Sequence, residues 1–247
     1  REGYSGPVEV IEGKEGLMEV LNNVTWHPEK LLEGLGQDFL ITRCGYKAFP
    51  SEALTHQPIT AALTIRQEQN LSAADIAHVL VETTTRGADI LSDPSKYTPK
   101  TRETADHSLP YVIAAALADG HVLPDSFHEE KLQDPVIRDL LGKIKVVADP
   151  EIDALFPGVK RARVTIVAAS GEKYTVQTDY AKGAPQNPLS DEELIAKFRA
   201  NAAGVLSKAQ QDAAIEATWR FEEIEDLEAY MRLFVKNGMV QHGTKAA

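Results

Sequence analysis

The stretch SLPYVIAAALADG, Ser108 to Gly120, constrains the fold more than any other part of the chain. Ser108 is a helix-capping residue, Pro110 suits a first helical turn where its missing N–H costs nothing, and Gly120 suits a helix stop. Between them, Val112 to Leu117 is apolar nearly all round, the pattern of a helix enclosed by protein rather than lying on a surface. The segment just before it, KTRETADH, is instead dense in charge. Two readings fit that concentration: chemistry on an acidic ligand, or helix capping alone.

The remaining elements can be placed around this helix. Residues 14 to 36 carry short helices or turns, with Pro28 at a first turn and Gly34 and Gly36 as stops. DFLITRCGYKAFP reads as extended, and PITAALTIRQEQ, from Pro58, as a helix. IAHVLVETTT, Ile76 to Thr85, is rich in β-branched residues and reads as a strand, followed by the turn-rich link SDPSKYTPK. Asp134 and Pro135 open a second capped helix, DPVIRDLLGKI. KIKVVAD, RARVTIVAAS and EKYTVQTDY read as strands, the last two forming a hairpin across Ser170 and Gly171. Ser190 and Glu193 make a capping box, and helices continue from there to about Lys236. The sum is an α+β chain, with an α/β middle between helical ends rather than an alternating parallel series.

Charge narrows the partners. With 37 acidic and 26 basic side chains the formal charge is −11, so the overall field repels phosphate and argues against nucleic acid or an anionic membrane. An anionic small substrate then needs a local cationic pocket. No run of 18 apolar residues is present, so no membrane span is expected. Cys44 is the single cysteine, which excludes an internal disulfide and gives no metal-ligand spacing. A reducing compartment fits: the cytoplasm, or the mitochondrial matrix in a eukaryote. The opening REGYSGPVEV, with a turn at Gly3, Gly6 and Pro7, lacks the pattern of a secretory signal and reads as the middle of a longer protein.

Two clusters could carry chemistry. In TRETADHSLPY, Asp106, His107 and Arg102 precede a helix N-terminus, where free N–H groups and the positive end of the helix dipole favour a carboxylate. His107 could exchange a proton near neutral pH, and Arg102 or Lys100 could hold an anion. Alternatively Asp106 or Ser108 caps the helix and His107 makes a core hydrogen bond. In YKAFPSEALTHQP, Lys47, Glu52 and His56 fall within ten residues and could bind and protonate a polycarboxylate, or lie on a solvated loop. Tyr46 and Phe49 flank Lys47 and would lower its solvation. No phosphate loop or dinucleotide fingerprint occurs, and His27, His78, His121, His128 and His242 read as structural or surface residues, so neither cofactor nor metal is expected.

KAFPSEALTHQPITAAL, SKYTPKTRETADHSLPYVIAAALADG and PLSDEELIAKFRANA together resemble the MmgE/PrpD family, which includes 2-methylcitrate dehydratase, cis-aconitate decarboxylase and iminodisuccinate epimerase. The resemblance implies an α/β lid domain inserted between helices of an all-helical domain. Residues 1–37 would end the first helical part, 38–186 form the lid, and 187–247 return to the helices. It also implies a partner, either an N-terminal helical half or a separate subunit, because that part supplies much of the family's active site. A homodimer is implied as well. Lys47 matches the lysine of the decarboxylase pattern K-x-F-P-x-H, but Glu52 stands where the histidine would be. F-P-S-E looks more like the F-P-A-E of the dehydratases. With this resemblance Lys47, Glu52 and His107 become catalytic candidates and Lys47 and His56 substrate-binding candidates, joined by Arg102 and Asp106 from their place before the helix N-terminus. The implied reaction is cofactor-free dehydration of a tricarboxylate such as 2-methylcitrate. Decarboxylation, epimerisation, or a non-catalytic subunit of a split enzyme are the alternatives.

Overall fold

The computed structural model of the chain describes residues 6, 8–14, 16–21 and 27–236. Gly3 and Pro7 of the expected opening turn, Asn22 and Asn23 of the first helical stretch, and His242 lie outside the described residues. Two compact units divide the chain, residues 1–44 and residues 45–247. In the first, the regular elements are α1 (Leu17–Val20) and two 3-10 turns, Pro28–Leu31 and Leu40–Arg43. Gly34 and Gly36 adopt φ of 71° and 77°, the left-handed conformation that suits a stop.

In the second unit four strands, β1 (Ile76–Thr83), β2 (Ile144–Ala148), β3 (Ala162–Ala168) and β4 (Lys173–Thr178), form one sheet in the order β2-β1-β3-β4. β1 and β2 are parallel, with Val79 opposite Ile144. β1 and β3 are antiparallel, as are β3 and β4, whose hairpin turns through Gly171 at φ 91°. The sheet is therefore mixed, in line with α+β rather than an alternating parallel series. Along β3, Ala162, Val164, Ile166 and Ala168 are buried while the residues between them are half-buried, the period-2 pattern of a sheet with one face on the core. The other face is polar: Arg163 Nη1 donates to Glu82 Oε1 at 3.0 Å and Asp149 Oδ2 at 3.2 Å, and the Thr165 and Thr175 hydroxyls pair at 2.8 Å.

The helices of this unit are α2 (His56–Glu68), α3 (Thr85–Leu91), α4 (Arg102–Ala105), α5 (Leu109–Asp119), α6 (Glu129–Leu132), α7 (Pro135–Lys143), α8 (Pro150–Asp153), α9 (Asp191–Ala202), α10 (Lys208–Trp219) and α11 (Leu227–Arg232). α5 is the apolar stretch between Ser108 and Gly120. Every residue from Leu109 to Leu117 is buried, enclosed by α2, α7 and β2. Each of its large side chains contributes roughly 1.5–3 kcal/mol by leaving water. Tyr111 keeps its polar tip satisfied by donating to Ser126 O at 2.7 Å.

α2 and α5 run in the same direction. At one end Glu52 N donates to Asp106 O, and at the other Arg66 Nε donates to Leu117 O, each at 3.0 Å. Their N-terminal ends therefore lie side by side, and that places the site.

Three local expectations are corrected. The strand beginning at Ile76 ends at Thr83 rather than Thr85, because the Thr84 hydroxyl accepts from Gly87 N at 3.0 Å and caps α3, a helix not anticipated. DFLITRCGYKAFP joins no strand ladder; its backbone bonds are local, as from Thr42 N to Phe39 O, or reach Gly183 O from Tyr46 N. α2 starts at His56, which leaves Pro58 in the first turn, where no intrahelical N–H is needed. The caps at Ser108, Asp134 and Ser190 stand where expected.

Candidate functional site

Two loops meet where α2 and α5 begin. One runs from Lys47 to Ala53, and the other is the turn between α4 and α5. Together they line a cleft of about 430 Å³ that includes Lys47, Ser51, Glu52, Asp106 and His107. Four of the expected site residues, separated by more than fifty positions, thus come together. Two do not. Arg102 is exposed on the first turn of α4 and outside the cleft lining, and His56 is only 5% exposed.

Each side chain in the cleft is set by local bonds. Lys47 Nζ donates to Ser51 O at 2.8 Å, an acceptor that sequence reasoning did not single out and that carries no side-chain signal. Glu52 Oε2 accepts from Leu54 N at 2.6 Å, capping the 3-10 turn that leads into α2. His107 Nδ1 is hydrogen-bonded to Asp106 Oδ1. A carboxylate only accepts, so Nδ1 carries the proton and Nε2 is the nitrogen left for chemistry. The positive ends of two parallel helices add a field that favours an anion here.

The expected anion site on the backbone of α5 is not open. Ser108 through Tyr111 are buried, Ser108 Oγ accepts from Tyr111 N at 3.1 Å and donates to Lys96 O at 2.6 Å, and Pro110 has no N–H. Capping by Ser108 is the reading that holds, but His107 is not in the core: its side chain is 56% exposed beside the Asp106 carboxylate. Nor is Lys47 desolvated by its aromatic neighbours. It is exposed, Tyr46 faces an apolar cavity with Leu194 and Phe198, and Phe49 packs on His56 with ring centroids 5.4 Å apart.

His56 sits behind the cleft loop, its Nε2 3.4 Å from Ser51 O. Burial pushes its pKa down from the usual 6.5 to about 4; the bond to Ser51 opposes this, and the like charges of Lys47, Lys160 and Lys197 add to it. It is a neutral imidazole at physiological pH. Backbone packing fixes the start of the same loop. Tyr46 N donates to Gly183 O at 2.8 Å, and a side chain at Gly183 would place its Cβ 2.0 Å from Tyr46 O.

Among the described residues no group of three or more His, Cys, Asp or Glu side chains is arranged to hold a metal ion. His27, His78, His121 and His128 are dispersed, and Cys44 is exposed and unpaired. No described helix is long and apolar enough to cross a membrane.

The cleft at the head of these two packed helices thus gathers one lysine, two carboxylates and an imidazole beside a mixed α/β sheet. Residues 49–222 match the MmgE/PrpD C-terminal domain, and the chain belongs to the MmgE/PrpD family. It is similar to cis-aconitate decarboxylase of Mus musculus, 31% identical over 193 residues that cover 76% of this chain and 38% of that protein. The Homo sapiens cis-aconitate decarboxylase is 28% identical over 181 residues, 73% of this chain and 37% of its own length. 2-Methylcitrate dehydratase of Salmonella typhimurium is 26% identical over 200 residues, 76% of this chain and 41% of that protein. The chain spans well under half the length of each of these relatives.

Proposed function

We propose that this chain provides the lid-side wall of a lyase that dehydrates a tricarboxylate such as 2-methylcitrate without a cofactor. The observation that carries the reading is the convergence of Lys47, Glu52, Asp106 and His107 on one cleft. Lys47 uses one ammonium proton on Ser51 O and has two more to offer a substrate carboxylate. Dehydration breaks a C–H bond and the neighbouring C–O bond; the C–H electron pair becomes the new double bond, and the departing hydroxyl takes a proton to leave as water. His107, held at Nδ1 by Asp106, has Nε2 for one of these proton transfers, and Glu52 is the candidate for the other. The opposite wall belongs to an N-terminal helical half or a separate subunit, in a homodimer, so this chain alone should not turn over substrate.

The test is Lys47→Ala in the chain assembled with that half. Loss of a charge-assisted bond predicts a fall in kcat/KM of about tenfold or more. Unchanged turnover of every polycarboxylate tested would overturn the assignment.

Decarboxylation of a related acid is the second reading, favoured by the higher identity to the two cis-aconitate decarboxylases. Glu52 in place of the histidine of K-x-F-P-x-H speaks against it. Released carbon dioxide, set against a gain in ultraviolet absorbance from a new double bond, separates the two.

A further inference from the structure

A second cavity, about 680 Å³, shares no lining residue with the Lys47 cleft. Its volume lies within the range of small-molecule sites. Lys100, Gln133 and Arg138 line it together with the buried side chains of Leu132 and Leu141, and no carboxylate does. In a chain with 37 acidic against 26 basic side chains, two cations without a counter-ion on one cavity wall stand out. The acids closest to Arg138 in sequence already have partners. Asp134 lies 3.7 Å from Lys131, which also pairs with Asp119 at 2.8 Å, and Asp139 pairs with Lys143 at 2.7 Å.

Arg138 is also held in place. Its Nε donates to Leu132 O at 3.3 Å and its Nη2 to Gln133 Oε1, while Nη1 has no partner among the described residues. Arg138 is exposed on α7, so with two nitrogens engaged its guanidinium still has a donor to offer an oxyanion beside the apolar side chains of Leu132 and Leu141. Apolar walls also strengthen its field.

We propose that this cavity is a second anion-binding site, separate from the Lys47 cleft, for a small organic molecule bearing two or more carboxylate or phosphate oxyanions. Lys100 supplies the mobile charge and Arg138 the fixed donors.

The experiment titrates the nitrogen-15-labelled chain, at constant ionic strength, with inorganic phosphate and separately with propane-1,2,3-tricarboxylate. The signals followed are the backbone amides of Lys100 and Gly142 and the Arg138 Nε–H. At least one probe should give saturating shifts, and Lys100→Gln should weaken that binding about tenfold. Lys100 is exposed and its side chain makes no bond to the protein among the described residues, so this variant keeps the fold. Saturation by phosphate alone assigns a phosphorylated ligand, and saturation by the tricarboxylate alone a polycarboxylate. Lys47→Ala should leave these shifts intact. Absence of saturation with both probes, unchanged affinity in Lys100→Gln, or loss of the shifts in Lys47→Ala would each overturn the proposal. None of these outcomes depends on whether the Lys47 cleft supports dehydration.

Discussion

Lys47 and His56 share one acceptor: the Ser51 carbonyl oxygen takes a hydrogen bond from Lys47 Nζ at 2.8 Å and lies 3.4 Å from His56 Nε2. A carbonyl has two lone pairs, so both bonds can form if the imidazole carries its proton on Nε2. One backbone oxygen thereby ties an exposed cleft cation to a buried neutral ring. His56, a candidate substrate-binding residue, lies behind the loop and is buried.

His56 makes stability depend on pH with a definite sign. Its folded pKa of about 4 lies below the usual 6.5, so the unfolded chain binds more protons between these values. Its contribution is complete above pH 6.5 and is lost as pH falls toward 4. Between pH 7 and pH 4 the loss should be roughly 3 kcal/mol. Urea unfolding across this range should show that much less acid sensitivity in His56→Gln; an equal loss in both proteins would assign it to other groups.

Ser108 supports the turn that carries Asp106 and His107. Replacing it by alanine removes the cap on Tyr111 N and strips the half-buried Lys96 carbonyl of its donor. Ser108→Ala should cost about 2 kcal/mol in urea denaturation. A change below a few tenths would mean that water replaces the hydroxyl.

Gly183 and Gly171 separate two effects of a missing side chain. Both adopt positive φ, 92° and 91°, but a Cβ at Gly171 meets nothing within 4 Å whereas one at Gly183 meets Tyr46 O at 2.0 Å. Gly171→Ala should lose only the conformational preference, about 1–2 kcal/mol, and Gly183→Ala distinctly more. Melting temperatures of the two variants measure the difference, and equal values would contradict the close approach at Tyr46.

Glu52 allows structure and chemistry to be read apart. Glutamine keeps an oxygen for Leu54 N, while alanine loses the cap at a cost of about 1 kcal/mol. In the assembled enzyme, Glu52→Gln should therefore melt like the parent yet lose turnover, if the carboxylate moves a proton. Full activity in Glu52→Gln would leave it a cap alone.

Much of the fold could be read directly because its signals are local. Ser108, Asp134 and Ser190 announce helices by the chemistry of their own side chains, and the alternation along β3 announces a half-buried strand. α3 escaped because Thr84 and Thr85 continue a β-branched run, and only the bond from Gly87 N turns Thr84 into a cap. The site was legible as two separate loops. What joins them is the side-by-side packing of α2 and α5, a long-range relationship with no local signature. The burial of His56 was hidden for the same reason, since a polar neighbourhood in sequence says nothing about the Phe49 ring that covers it.

The long-range pairings of β1 govern the order in which the molecule can assemble. β3 and β4 zip across a short turn, but β2 reaches β1 only after the excursion between Thr83 and Ile144 has closed, and β3 only after the longer one to Ala162. Loop-closure entropy makes such long-range contacts slow to form. The shorter excursion carries both His107 and Arg138, so one side of the cleft and the second cavity lie on chain that this closure brings into place. A chain halted before these closures leaves the edges of β1 open to pairing with another molecule.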